Sequence, residues 1–204
     1  MNGDPRYAAV GAGDVALPTF APTVRAALAA DGWLFAELPG GLTLEGLRAS
    51  GAPFKGERYF TRFAHETVEY ATVAAQVAYR PALLPGTLGL RFEDALARVA
   101  RLTDHLPAGV VATAAPAAAY VWLFEAHYAR YGAYPFVQCY TWAVDCYQQR
   151  AHLVVGVFGR HRPLLVAPHT EGYGAGVGLW PLLLPGAVAD LLWPLAPRRA
   201  APPR

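Results

Sequence analysis

Residues 137–156, VQCYTWAVDCYQQRAHLVVG, constrain the fold more than any other stretch of this chain. β-Branched and aromatic residues flank a polar QQRA, the pattern of two long strands joined by a turn. Setting Tyr147 opposite His152 pairs Cys146 with Leu153, Val144 with Val155 and Trp142 with Val157. That face is almost wholly apolar and is expected to be core. The opposite face then carries Cys139 across from Arg160, Thr141 across from Phe158 and Asp145 across from Val154, and is expected to be the polar one.

Both cysteines of the chain lie in this hairpin, seven positions apart. On a strand they would stand roughly 23 Å apart and face opposite ways, and on a helix they would be roughly 10 Å apart. A disulfide needs its Cα atoms within about 7 Å, and two thiols do not complete a structural zinc site. Neither a bridge nor a metal centre is expected. Cys146 reads as inert core, whereas Cys139, with Arg160 opposite, is the candidate nucleophile because a nearby cation favours the thiolate.

Asp145 and His152 are diagonal neighbours in this register, a candidate acid/base pair in which the carboxylate orients the imidazole. His152 stands roughly 26 Å along the strand from Cys139, too far to serve it. A cysteine hydrolase would need His127, His161 or His169 instead. His169 and Glu171 open PHTEGYGAGVG, where glycine at 172, 174, 176 and 178 leaves the backbone free to approach an anion or to close over a small substrate. The same glycines suit a plain turn between strands.

Two other motifs carry less. AVGAGDVA has Gly11, Gly13 and Ala16 in dinucleotide-fingerprint spacing, with Glu37 further on, but LPTFAP separates it from the next helix. The pyrophosphate would lack the helix N-terminus that holds it. No cofactor is named by these residues. PFKGERYF mixes Lys55, Glu57 and Arg58 with aromatic residues, as binding loops and stapled surface loops both do.

Elsewhere, helix signals alternate with short apolar runs. Pro22 opens a helix that Gly32 stops, WLFAEL follows as a strand, and Thr43 caps a short helix ended by Gly51. Residues 67–80 fit both periods and are expected to be extended from about Thr72. RFEDALARVARLTDHL gives a helix with a stripe of Phe92, Leu96, Val99, Leu102 and Leu106, and Asp94 can pair with Arg98. GVVATA reads as a buried strand, and a helix from Pro116 to Gly132 follows. Strands near 136–147, 151–158, 163–167 and 177–184 complete the chain.

These elements predict an α+β fold: one domain over 19–196, with a helix-covered mixed sheet continuing into a C-terminal antiparallel meander. Residues 1–18 and 197–204 are expected to be poorly ordered. At 204 residues one core suffices, and 54% hydrophobic residues exclude a disordered chain. The formal charge of +2 implies no nucleic acid partner. The N-terminus lacks a secretory signal pattern, so a cytoplasmic protein is expected. VGLWPLLLPGAVADLLWPLAP, residues 177–197, is long and apolar, but Pro181, Pro185 and Asp190 disfavour a membrane span. It is expected to dock on its own domain or to meet a protein partner or a second copy. The leading functional expectation is a non-catalytic binding or assembly protein, with a small-substrate enzyme using Cys139 or the Asp145/His152 pair as the alternative.

Overall fold

Proline and glycine set the helix boundaries as their backbone chemistry requires. The helix α1, Pro22–Ala30, has Pro22 in its first turn, and Gly32 behind it lies at φ 84°. The Thr43 side chain accepts the Gly46 amide at 3.1 Å to cap α2, Leu44–Ala49, and Gly51 follows at φ 81°. The computed structural model describes residues 17–148, 151–157, 164–169, 176–189 and 193. The expected loose ends, 1–18 and 197–204, lie outside these apart from residues 17 and 18. Pro18 is tied to the fold, its carbonyl accepting the Gln76 amide at 2.8 Å.

The expected α+β fold is present, built on two sheets. The first runs in the order β1 (Leu34–Leu38), β4 (Ala75–Tyr79), β10 (Leu182–Pro185), β5 (Val110–Thr113). The second runs β2 (Phe54–Lys55), β8 (Leu164–Pro168), β7 (Ala151–Val157), β6 (Cys139–Tyr147), β3 (Thr67–Val68), with β9 (Val177–Gly178) parallel to β6. Strands β6, β7 and β8 form the antiparallel meander. The strand expected at 177–184 divides: β9 stays with the second sheet, and β10 inserts between β4 and β5 of the first. Residues 67–80 are extended, though the longer strand starts at Ala75 rather than Thr72.

Helix α4, Ala117–Tyr131, packs on strands of both sheets. Alanines 117–119 let backbone approach closely, and Tyr120, Val121, Leu123 and Phe124 fill the space. A helix apolar around most of its circumference must be enclosed, and this one is. The opposite faces of both sheets meet α1 and α3, Phe92–Thr103, in a second core around Phe92, Val99, Trp142 and Leu183. The α3 stripe differs from expectation in one member. Leu96 is exposed and Ala95 is buried in its place, because the face turned to the sheets runs through Phe92, Ala95 and Val99.

The hairpin register is not the expected one. Tyr147 pairs Ala151, Cys146 pairs His152, Trp142 pairs Val154, Thr141 pairs Val155 and Cys139 pairs Val157. Gln148, at φ 49°, starts the reversal one residue earlier on the β7 side. A bulge then places residues 143–145 opposite Leu153 alone. A bulge re-aims side chains locally, and here it breaks the simple alternation that the expected pairing relied on. The second reason is that this sheet is covered on both sides. Thr141 and Asp145, expected on a polar face, are 0% and 1% exposed, whereas Cys146 is only half-buried. Thr141 Oγ1 accepts the Trp180 amide at 2.9 Å and serves the core.

Candidate functional site

The sequence candidates occupy separate places. Asp145, carried inward by the bulge, accepts the Tyr70 amide on Oδ1 at 2.9 Å and the Ala117 amide on Oδ2 at 2.5 Å. Ala117 is the first residue of α4, and its N-cap Pro116 has no side-chain acceptor to offer. A carboxylate from a distant strand therefore caps this helix, where the positive end of the helix dipole favours it. Burial nonetheless pushes the carboxyl up to about 6, against the opposing pull of the Ala117 and Tyr70 amides.

His152 points to the other face of the sheet. Its ring stacks on Phe92 at a centroid distance of 3.6 Å, and Nδ1 meets the Ala143 carbonyl at 3.1 Å. The diagonal contact expected with Asp145 rested on the register now replaced, and the hydrogen bonds of the two side chains go to different partners. The backbone amide of His169 donates to the His152 carbonyl at 2.8 Å, and its ring lies 4.4 Å from that of Trp142. Burial lowers the pKa of both histidines. Glu171, His161 and Arg160 lie outside the described residues.

Cys139 begins β6, its sulfur 3.6 Å from the Val137 carbonyl. Burial pushes both the Cys139 and Cys146 thiols up, the opposite of what a nucleophile needs. The two thiols are free and both half-buried, so the expected contrast between an accessible Cys139 and an inert Cys146 is not present. Alkylation by iodoacetamide should be slow at both positions near neutral pH and accelerate in alkaline buffer, as followed by mass spectrometry of folded protein. Rapid labelling of Cys139 at neutral pH would contradict a raised thiol pKa and restore its candidacy.

His127, buried on α4, shares a hydrogen bond of 3.1 Å between Nδ1 and the Tyr79 hydroxyl. It thus sits in the core that α4 forms with both sheets, whereas His152 and His169 lie with Trp142 in the other core. Among the described residues, no three His, Cys, Asp or Glu side chains form a metal-holding group. His152 and His169 lie together beside Trp142, whereas Asp145 caps α4 and His127 bonds Tyr79.

A different surface collects side chains suited to binding. At the C-terminal end of α4, Tyr128 is 46% exposed, Tyr131 45% and nearby Val137 41%. Tyr134 packs beside Tyr128 at 4.8 Å, and the Arg130 guanidinium lies 5.2 Å from the Tyr131 ring centre. Gly132, at φ 71°, ends the helix and turns the chain so that Tyr134 returns against it. Sequence reading passed over this group because EAHYARYGAYPF looks like the tail of a buried helix. The signal was present in the three tyrosines spaced three apart.

Comparison with protein-family models, with curated proteins and with solved structures finds no match to this chain.

Proposed function

We propose that this chain is a non-catalytic binding and assembly domain, and that it joins a second copy of itself through the tyrosine-rich end of α4. The observation that carries this reading is the exposure of Tyr128 and Tyr131 at the end of α4, beside Tyr134 and Arg130. Tyrosine and arginine dominate interface hot spots, since each joins a large contact area to a polar tip. A formal charge of +2 opposes self-association little.

The C-terminal segment is a weaker candidate for the partner surface. Leu179, Trp180, Leu182, Leu183 and Val188 are buried in the chain's own cores, and Trp193 Nε1 donates to the Ala114 carbonyl at 3.2 Å. Among the described residues no helix is long and apolar enough to cross a membrane. A cytoplasmic location belongs to the same proposal and is supported by two free cysteines. The enzyme alternative draws little support from Asp145 and His152, whose side chains bond to different partners, or from a Cys139 thiol that burial raises.

Sedimentation velocity over a concentration series tests the proposal. The native protein should shift from monomer to dimer, and Tyr128→Ser with Tyr131→Ser should weaken the dimer at least about tenfold, or about 1.4 kcal/mol. The thermal melt of the dilute monomer should be unchanged. A native protein that stays monomeric throughout, or a double variant that dimerises equally well, overturns it.

A further inference from the structure

We infer that the groove between α3 and the turn 84–87 is a binding site for a small phosphate monoester with an apolar substituent. The groove is open to solvent, has a volume of about 270 Å³ and is lined by Leu84, Pro85, Arg98, Arg101, Leu102 and His105. Its polar side comes from Arg98 and Arg101 on one face of α3 and from His105 in the turn that follows the helix. Its apolar side is Leu84, Pro85 and Leu102.

Among the described residues the two arginines have no carboxylate partner. The expected pair between Asp94 and Arg98 does not form, and neither Arg98 nor Arg101 has a salt bridge among the described residues. Glu93 and Asp94 stand in the first turn of α3, more than one helical turn from Arg101, and Asp104 makes no salt bridge with it either. Arg101 Nε donates to the Ala97 carbonyl at a long 3.4 Å. Guanidinium groups are planar forks that take phosphate oxygens in pairs, and an apolar wall beside them favours a ligand with a hydrocarbon part.

The opposing wall is preorganised. Leu84 donates its amide to the Leu179 carbonyl at 2.8 Å, and Thr87 Oγ1 both donates to the Leu84 carbonyl at 2.6 Å and accepts the Leu179 amide at 3.0 Å. Gly86, at φ 75°, lies beneath Arg98 so closely that a Cβ there would come within 3.0 Å of Nη1. The positive φ is what requires glycine at this position, and the Arg98 guanidinium lies close over the turn.

Titration calorimetry of the whole chain with phenyl phosphate tests the inference. Saturable binding is expected at low salt, weakened at least about tenfold by Arg98→Gln with Arg101→Gln. Both substitutions are on the exposed face of α3, and an unchanged melting temperature serves as the folding control. Inorganic phosphate should bind at least about threefold more weakly, because it cannot use the apolar wall. The inference is overturned by absence of saturable binding, by equal affinity in the double variant, or by inorganic phosphate binding as well as the ester. Sedimentation of the protein with anionic phospholipid vesicles, in the absence of phenyl phosphate binding, would assign the arginines to a lipid surface and overturn it too.

Discussion

Replacing Asp145 with alanine should lower the unfolding free energy by about 3–5 kcal/mol in denaturant melts near pH 5, and by less as the pH rises. The substitution leaves the amides of Tyr70 and Ala117 without their acceptor in a place where the carboxylate is 1% exposed. An unsatisfied buried donor costs on the order of 1–3 kcal/mol, and the lost cap of α4 adds to it. Asp145→Asn retains one acceptor oxygen and should cost roughly half as much.

The pH dependence carries its own sign. The native carboxyl titrates at about 6 and the unfolded one near 3.8, so between these values the native state holds more protons. Its contribution is fully present below the unfolded pKa and is lost as the pH rises through about 6, a change on the order of 3 kcal/mol. The stability gap between native protein and Asp145→Ala should therefore narrow from pH 4 to pH 7. His127, His152 and His169, whose pKa values burial lowers, titrate in both proteins and largely cancel in the difference. A gap that widens with pH would mean that the two amides outweigh burial and hold the ionised form.

Trp180→Ala should cost about 5 kcal/mol, the upper end for truncating a buried aromatic. The indole is fully buried. It stacks on Tyr120 at 5.7 Å with a 19° interplanar angle, and Tyr79, Phe124 and Phe136 present edges within 5.6 Å. Nε1 donates to the Arg80 carbonyl at 2.5 Å, while its backbone carbonyl accepts the Tyr120 hydroxyl at 2.7 Å. Removing the ring opens a cavity where sheet and α4 meet, with neighbours too rigid to collapse into it. Trp180→Phe keeps most of the packing and should lose about 1–3 kcal/mol, chiefly the hydrogen bond and the second ring. Urea melts decide this, and a loss below about 1.5 kcal/mol for the alanine variant would show that these rings are not a cooperative core.

The local elements were legible because their causes are local. Pro22, Thr43, Gly51 and Gly132 act through their own backbone and side-chain chemistry, so they mark helix ends wherever the helix later packs. Hydrophobic period and length likewise determined the α+β class and the β6–β7–β8 meander. The hairpin pairing was not legible, since a two-residue bulge and a one-residue change in the turn leave the composition of the stretch unaltered. Nor does strand alternation identify the polar face when helices and a second sheet cover both sides, as they do around Thr141 and Asp145.

The candidate site divides in the same way. Sequence by itself singled out Asp145, His152 and Cys139 as side chains with chemical potential, because residue type alone confers that. Tertiary structure decided their surroundings: Asp145 caps a helix 28 positions away, His152 stacks on Phe92, and Cys139 is a half-buried thiol raised by burial. Chemistry at a site depends on desolvation and on neighbours brought from distant parts of the chain, and those are properties of packing. Arg98 and Arg101 lie on α3 and His105 just past its end, but only the turn at Gly86 folding against that helix makes a groove with them.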